Sequence, residues 1–234
     1  MRKDYPITVL KEPYSSFAES FRKLQVNLDL INADGTNKVL QIVSTQSGEG
    51  KTISALNIAA VYAERKEKVI LVDLDLRRPK IHRAFQIENK SGLTDYFLGD
   101  ITREQLIQHT EAGIDIIVRG REASYPNVIL NSVKFAQLIA SLREEYDMVI
   151  LDCPPLLVVS DAFIISKHSD GVLLIAAMNQ TPKEAFQEAL RLLKQNNIKV
   201  FGINLTRVET KKSGYGEHYH YYEYNDKEES AAGK

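Results

Sequence analysis

The chain has one cysteine, no tryptophan and almost no net charge, and it lacks a long apolar segment. The single cysteine, Cys153, cannot form an internal disulfide, which favours a reducing compartment. The formal net charge of −1 excludes the basic excess that is typical of nucleic-acid binding. The longest apolar run, Val172–Met178, is far shorter than the roughly 20 residues that cross a bilayer, and no secretory signal is visible. We therefore expect a cytoplasmic protein whose contact with a membrane comes through a partner.

Six short apolar runs alternate with helical patterns along the chain. They lie at residues 38–43, 68–73, 114–118, 147–152, 171–177 and 199–205. Runs that are apolar on both faces are typical of parallel strands covered by helices on both sides. The sequence therefore predicts an α/β fold with a doubly wound, mostly parallel sheet in a Rossmann-like three-layer arrangement.

Two helix starts can be located from capping chemistry. Thr181–Glu184 offers a side-chain acceptor, a proline at the first helical position and a reciprocal glutamate, which predicts a helix to about residue 195. Ser16–Glu19 begins a second helix, ahead of the first strand, that packs on the main domain or faces a neighbour. Its apolar residues form one stripe at helical spacing: Phe17, Phe21, Leu24, Leu28 and Ile31.

The periodicity divides the chain into three parts. Residues 1–37 form an N-terminal segment with the first long helix, and residues 38–207 hold all six predicted strands. Residues 208–234 are charged and glycine-punctuated, which predicts a flexible tail. We expect one large domain with two appended segments.

The strongest chemical signal is the stretch "STQSGEGKT" between the first strand and a helix. Gly48 and Gly50 allow the backbone to curl so that several N–H groups and a helix N-terminus face one anion. Lys51 can reach terminal phosphates, and the Thr52 hydroxyl can bind Mg²⁺. Thr45 stands where the G-x-x-x-x-G-K-[ST] pattern has its first glycine. The residues predicted to bind the nucleotide phosphates are Ser47, Gly48, Glu49, Gly50, Lys51 and Thr52.

Three aspartates follow predicted strands. Asp73 and Asp75 end one strand and Asp152 ends another. Because parallel strands finish at one edge of a sheet, we expect the three carboxylates to converge on Lys51 and to form a Mg²⁺ site. Arg77 or Arg78 would join Lys51 in neutralising phosphate charge during phosphoryl transfer, with water or a hydroxyl as the nucleophile.

Five tyrosines cluster close to the C-terminus and suggest what that nucleophile is. The last predicted strand ends at Leu205, at the sheet edge where the phosphates bind. From Leu205 to Tyr215 a flexible chain has a root-mean-square reach of roughly 17 Å, and about 33 Å when extended. A nearby carboxylate could accept the phenol proton. The candidate phosphate acceptors are Tyr215, Tyr219, Tyr221, Tyr222 and Tyr224.

Taken together, these motifs resemble those of bacterial tyrosine kinases of capsule and exopolysaccharide assembly, within the MinD- and ParA-related P-loop ATPase superfamily. The resemblance rests on "SGEGKT", "LVDLDLRRP", "VILDCPP", "SDAFIISKHSDGVLLI" and the tyrosine cluster. It implies ATP- and Mg²⁺-dependent autophosphorylation of the tail, with one subunit acting on another. It assigns Thr52, Asp75 and Asp152 to the metal and Asp73 to activation of the phenol. Asn204 is a candidate for contact with adenine.

The resemblance also implies partners. Stand-alone kinases of this kind act with a transmembrane modulator, which recruits them to the inner face of the cell membrane. Similar proteins assemble rings through an E-x-x-R-x-x-R motif on the first helix. Here Glu19 and Arg22 are present, but Gln25 occupies the third position. We therefore predict a homo-oligomer with a weakened ring contact.

Two other functions are compatible with the sequence. The first is a MinD- or ParA-like ATPase switch, although Gln46 stands where such proteins typically carry a lysine, and the tail has no apolar helical stripe. The second is a nucleotide-gated scaffold whose tail is a docking peptide. Phosphate gained on the tail would distinguish a kinase from both alternatives.

Overall fold

A seven-stranded sheet forms the centre of the computed structural model, which describes residues 6–208. The strand order is β3-β4-β2-β5-β1-β6-β7, and all neighbours are parallel except β3 and β4. The strands are β1 Val39–Ser44, β2 Val69–Asp73, β3 Gln108–His109, β4 Ile114–Ile117, β5 Met148–Asp152, β6 Gly171–Ala177 and β7 Val200–Thr206. The six predicted strands and the predicted fold class are confirmed.

Helices cover both faces of this sheet. They are α1 Thr8–Lys11, α2 Ser16–Ile31, α3 Lys51–Glu64, α4 Ile81–Ala84, α5 Leu93–Leu98, α6 Arg103–Leu106, α7 Pro126–Leu130, α8 Val133–Glu145, α9 Asp161–Ile165 and α10 Lys183–Gln195. A short 3₁₀ helix, Ser166–His168, follows α9. No helix among residues 6–208 is both long enough and apolar enough to cross a membrane.

Alternate residues of β1 enter different apolar cores. Val39 and Val43 pack with Phe135 and its neighbours on α8, whereas Leu40 and Ile42 pack with α3. All six residues of β1 are buried. Because side chains of a strand alternate between its two faces, this separation means that the sheet is covered on both sides.

The N-terminal helix α2 packs on α3, and its residues Ala18, Phe21 and Leu28 join the same core. The helix begins at Ser16 as predicted, and the side chain of Ser15 caps it by accepting a hydrogen bond from the N–H of Ala18. The predicted stripe was wrong at its ends. Phe17 and Ile31, at the ends of the predicted stripe, are exposed. The buried face of the helix includes Ala18 and Gln25 and is therefore rotated relative to the predicted stripe.

The start of α10 also differs from its prediction. The N-cap is Pro182, without a side-chain cap, rather than Thr181. The Thr181 hydroxyl instead accepts a hydrogen bond from the N–H of Ala177 and donates one to Glu49. A tertiary contact has therefore replaced the local cap.

Candidate active site at the carboxyl edge of the sheet

The loop between β1 and α3, residues 45–50, has the backbone shape of an anion cradle. Gly48 and Gly50 have φ values of +90° and +96°, in the left-handed region that favours glycine. A Cβ on Gly50 would also lie 3.3 Å from Cγ2 of Thr206. At the position of the missing first glycine, Thr45 is buried and its N–H donates to the carbonyl of Ile175 over 3.3 Å. The loop therefore closes without that glycine.

Lys51 begins α3 and points into a buried cluster of carboxylates. Its Nζ lies 3.0 Å from Oδ2 of Asp75 and 3.1 Å from Oδ1 of Asp152. Burial disfavours the charged amine, but the carboxylates of Asp152, Asp75 and Asp73 outweigh that effect and raise the pKa of Lys51. The lysine is a permanent cation at the carboxyl edge.

The predicted metal residues meet beside this lysine. The Thr52 hydroxyl donates to Oδ2 of Asp152 over 2.7 Å, and Asp75 contacts the same ammonium as Asp152. Within residues 6–208, the His, Cys, Asp and Glu side chains form no group of three or more around a possible metal position. A hydroxyl and two carboxylates nevertheless suit Mg²⁺, which is usually held by few protein oxygens together with phosphate and water. The donor set therefore fits the ion.

Asp73 is fully buried at the end of β2, where it pairs in register with Asp152 of β5. Its Oδ2 accepts hydrogen bonds from the N–H groups of Lys80 at 2.9 Å and Ile81 at 3.0 Å. Within the described chain its Oδ1 has no hydrogen-bond partner. Burial, followed by the nearby Asp152 carboxylate, raises the pKa of Asp73 to about 7. One oxygen of this group is thus available to a further donor.

Other predicted site residues lie around this centre. Arg77 is half-exposed, and its Nε lies 3.2 Å from Oδ2 of Asp161 rather than beside the three aspartates. Arg78 is exposed, and its backbone N–H donates to Oδ1 of Asp75. Ser47 is exposed on the loop, while Asn204 donates to the hydroxyl of Ser54 over 3.1 Å and so connects β7 to α3. The roles given to these residues stay predictions.

The end of β7 contacts the phosphate loop directly. The Thr206 hydroxyl donates to the carbonyl of Glu49 over 2.6 Å, and Nη2 of Arg207 donates to the carbonyl of Gly48 over 2.8 Å. The prediction that the last strand ends beside the phosphate loop is confirmed. The candidate acceptors, Tyr215, Tyr219, Tyr221, Tyr222 and Tyr224, lie outside the described residues.

Sequence reasoning did not identify the contacts of Thr206, Arg207 or Glu49. The Glu49 side chain is buried, with one oxygen accepting from the N–H of Gln46 at 3.0 Å and the other from Thr181 at 2.6 Å. A glutamate between two glycines normally indicates a solvated loop. The sequence signal for Thr206 is weak: it is a polar residue at the end of an apolar strand.

The predicted oligomerisation residues lie on α2. Arg22 is bonded within its own chain: it contacts Glu64 through Nε at 3.1 Å and Nη2 at 3.0 Å, and the carbonyl of Pro13 at 2.7 Å. Glu19 is exposed, 3.9 Å from Arg22. Gln25 is buried and donates to Asp29 over 2.7 Å. Arg22 thus takes part in an ion pair that joins α2 to α3.

The lone cysteine lies directly after Asp152. Cys153 is fully buried, and burial followed by the charge of Asp152 raises the pKa of its thiol. Because the thiolate is the reactive form, this cysteine is unsuited to nucleophilic chemistry. The nucleophile of the site must come from elsewhere.

Comparisons with known proteins agree with this geometry. A family model described as AAA_31, an AAA domain, matches residues 37–200. The chain is similar to the tyrosine-protein kinase YwqD of Bacillus subtilis (strain 168), with 34% identity over 212 residues that cover 90% of both chains. It is 31% identical over 207 residues to the tyrosine-protein kinase Etk of Escherichia coli (strain K12), covering 88% of this chain and 28% of Etk. The chain therefore spans less than a third of that longer relative.

Solved structures show the same similarity. The chimerical protein CapA2B2 superposes with a TM-score of 0.83 at 30% identity, over 86% of this chain and 89% of that one. The kinase domain of Escherichia coli ETK gives 0.82 at 30%, over 92% and 87%. MinD from Pyrococcus horikoshii, solved with Mg-ADP, gives 0.63 at 22% identity over 75% and 72%, a likeness of fold alone.

Proposed function

Given that this chain belongs to the family of bacterial tyrosine-protein kinases, we propose that it uses MgATP to phosphorylate the tyrosines of its own C-terminal segment. The contact between Thr206 and Glu49 carries this proposal, because the segment with the five tyrosines begins at the phosphate loop. Tyr215 follows Thr206 by nine residues, a span of roughly 30 Å when extended. The acceptors of one chain are thus within range of a site in the same chain or in a neighbour.

The phosphates of ATP would be bound by the loop 45–50 and by Lys51. Lys51 is paired with Asp75 and Asp152, and its ammonium would also contact phosphate oxygens of ATP. Thr52, Asp75 and Asp152 would hold Mg²⁺, which neutralises the charge that develops on the transferred group and on the leaving phosphate. Three carboxylates against one lysine leave an excess of negative charge that favours a divalent cation.

Transfer needs a group that takes the phenol proton. The tyrosine oxygen forms a bond to the γ-phosphorus while the bond from that phosphorus to the oxygen of the β-phosphate breaks and ADP departs. We assign the proton to Oδ1 of Asp73, the buried oxygen without a partner in the described chain. The N–H groups of Lys80 and Ile81 hold the other oxygen and orient the carboxylate. Arg77 would have to leave Asp161 to assist.

Intact-mass spectrometry tests the proposal. Purified protein with ATP and Mg²⁺, and with a modulator fragment if required, is expected to gain phosphate in steps of one phosphoryl group. Lys51→Met should gain none, and a variant with all five C-terminal tyrosines changed to phenylalanine should lose the gain while it still binds nucleotide. ADP release without added phosphate would favour the MinD- or ParA-like ATPase, and neither product would favour the nucleotide-gated scaffold.

A mixing experiment tests whether one subunit acts on another. Lys51→Met supplies intact acceptor tyrosines without catalysis, and the five-phenylalanine variant supplies catalysis without acceptors. Transfer between subunits should place phosphate on Lys51→Met in the mixture but in neither protein alone. An unmodified Lys51→Met chain in a mixture whose wild-type control is phosphorylated would show that transfer stays within one chain.

We also propose that the kinase acts with a transmembrane modulator in capsule or exopolysaccharide synthesis and export, at the inner face of the membrane. Support comes from the resemblance that the motifs show to kinases of capsule and exopolysaccharide assembly. When the tagged kinase is purified from detergent-solubilised membranes, a membrane protein should purify with it. The cytoplasmic fragment of that membrane protein should raise autophosphorylation. Equal activity with and without every retained membrane protein would contradict this partnership.

A further inference from the structure

Two residues at the end of β7 hold the phosphate loop from outside. Thr206 donates to the Glu49 carbonyl over 2.6 Å, and Arg207 donates through Nη2 to the Gly48 carbonyl over 2.8 Å. The other arm of the guanidinium, Nη1, donates to Oε1 of Gln180, in the turn after β6. Two consecutive carbonyls of the loop are therefore bonded to two consecutive residues of the strand end.

The backbone of Arg207 indicates that this arrangement is imposed by its surroundings. Its φ is +57°, in the left-handed region that a residue with a long side chain rarely adopts. Such a conformation is unfavourable and persists where neighbouring contacts determine it. The hydrogen bonds to Gly48 and Gln180 are the contacts that do so here.

Holding a carbonyl also fixes the N–H of the same peptide unit. The peptide bonds of the described chain are all trans, and in a planar trans peptide the C=O and the following N–H point in opposite directions. Bonding the carbonyls of Gly48 and Glu49 on the outside of the loop therefore directs the N–H groups of Glu49 and Gly50 to its inside. Inward N–H groups are what a phosphate-binding loop presents to its ligand.

The buried carboxylate of Glu49 holds the loop at a third point. It accepts from the N–H of Gln46 within the loop and from the Thr181 hydroxyl, which in turn accepts from the N–H of Ala177 at the end of β6. The ends of two neighbouring strands, β6 and β7, thus hold the loop in its observed shape through contacts within the protein. A loop that is already in its binding conformation loses less entropy on binding.

We infer that Thr206 and Arg207 are positioning residues for nucleotide binding: by holding the Gly48 and Glu49 carbonyls, they orient the loop N–H groups toward the phosphates. This inference rests on the proposed function only in that it takes the ligand to be ATP or ADP. By linkage, phosphate binding strengthens the same contacts, so nucleotide and strand end stabilise one another. Thr206 and Arg207, near the end of the described residues, also precede the acceptor tyrosines along the chain.

Binding of a fluorescent ADP analogue to the full chain tests this inference without requiring phosphoryl transfer. Thr206→Val removes the hydroxyl at constant shape, and Arg207→Ala removes the guanidinium; each should weaken ADP about 2- to 10-fold, the range for one hydrogen bond. Thr206→Ser should bind like wild type, and Arg207→Lys should lie in between because a single ammonium lacks the rigid planar fork whose two nitrogens bond Gly48 and Gln180 separately. Arg191→Ala, which removes an exposed arginine paired with Glu188 on α10, is the matched control.

The kinetic signature separates positioning from general destabilisation. Thr206→Val and Arg207→Ala should raise the KM for ATP with little change in kcat, whereas partial unfolding would lower the amount of active enzyme and leave KM unchanged. Wild-type ADP affinity in both variants, with native circular dichroism, would overturn the inference. ADP binding by a wild-type chain that gains no phosphate would overturn the proposed function alone.

Hydrogen exchange on the wild-type protein gives an answer even if the variants fail to fold. Saturating ADP should slow amide exchange at the end of β7, residues 204–208, in addition to the loop. As a comparison, the exchange of the β3–β4 edge at the opposite end of the sheet should not change. Identical exchange of residues 204–208 with and without ADP would contradict the coupling.

Discussion

Asp73 and Asp152 end neighbouring parallel strands opposite one another, and of the two it is Asp152 that bonds the Lys51 ammonium. The consequence is an uneven pair of buried carboxylates. Asp152 is neutralised by Lys51 and Thr52, whereas Asp73 is held by two backbone N–H groups and faces the Asp152 charge. Burial, followed by the Asp152 charge, raises the pKa of Asp73 to about 7, although the two N–H groups act in the opposite direction, and the stability of the protein therefore depends on pH.

The first prediction concerns this pH dependence. Because the folded-state pKa of Asp73 lies above its ordinary value of 3.8, the folded state retains a proton that the unfolded state loses between about pH 4 and pH 7. Ionisation of Asp73 should therefore lower the free energy of unfolding as pH rises through this window, by up to about 1.4 kcal/mol per pH unit, with no further change above it. Asp73→Asn removes the effect. Urea titrations of metal-free protein at pH 5 to 8 measure it.

The control for that series is Glu122→Gln, which removes an exposed acid. Its free energy of unfolding should follow the wild type at every pH. Parallel curves for the wild type and Asp73→Asn would contradict the raised pKa.

A second prediction separates strain from steric conflict at the phosphate loop. Gly50→Ala places a Cβ at φ +96° and 3.3 Å from Thr206, whereas Gly35→Ala places one at φ +68° with no heavy atom within 4 Å. Both should lose roughly 1 kcal/mol of stability from the backbone conformation. Only Gly50→Ala should also weaken ADP binding, as measured by calorimetry. Equal ADP affinity in the two variants would show that the loop tolerates the added atom.

Third, the contact between Arg22 and Glu64 should contribute to the docking of α2. A double-mutant cycle with Arg22→Ala and Glu64→Ala should give a coupling free energy of about 1 kcal/mol, since two parallel hydrogen bonds join partly shielded groups. Urea unfolding of the four proteins measures it, and high salt should reduce it. A coupling near zero would show that this pair does not contribute to the docking of α2.

The fourth prediction is that phosphate does not reach the two buried tyrosines, Tyr62 and Tyr146. The Tyr62 hydroxyl donates to Asp29 over 3.1 Å, and the Tyr146 hydroxyl donates to Asp115 over 2.7 Å; both rings are buried. Burial and the adjacent carboxylates raise the pKa of both phenols. Peptide mapping after autophosphorylation should find both unmodified, with the phosphate in residues 215–224. Tyr125 is exposed, so it shows whether an accessible tyrosine outside residues 215–224 is modified. Phosphate on Tyr62 would contradict the prediction, because it would require local unfolding.

Fifth, autophosphorylation should loosen the oligomer. Each phosphotyrosine adds about −1.5 to −2 charges, so a fully modified segment repels both itself and the aspartate-rich site of a neighbour. Light scattering should report a lower mass after incubation with MgATP than before it, and the five-phenylalanine variant should keep its mass. An unchanged mass after complete phosphorylation would contradict this prediction.

The strands and the location of the site could be predicted from the sequence because they depend on local patterns. Continuous apolar runs are enough to identify central parallel strands, and the ends of such strands share one edge. The edge strand β3 was missed, since two polar residues, Gln108 and His109, carry no periodic signal. Its pairing with β4 depends on the neighbouring strand.

The chemistry within the site could be predicted only in part. The convergence of Lys51, Asp75 and Asp152 follows from topology, whereas the free oxygen of Asp73 depends on how the backbone of Lys80 and Ile81 folds over it. The misplaced cap at Thr181 has a similar cause, because its hydroxyl is bonded to Glu49, 132 positions away in the chain. Long-range contacts of polar side chains leave no local pattern.

The burial of Cys153 has a practical consequence for spectroscopy. The native thiol is the only one in the chain, and it is enclosed and protonated at neutral pH. A cysteine introduced on the surface would therefore react with a maleimide dye far faster than the native residue, without prior removal of Cys153. A donor dye could then be placed near the C-terminus, and a fluorescent nucleotide could serve as the energy-transfer partner. Energy transfer between them would report how far the tyrosine-bearing segment lies from the site during turnover.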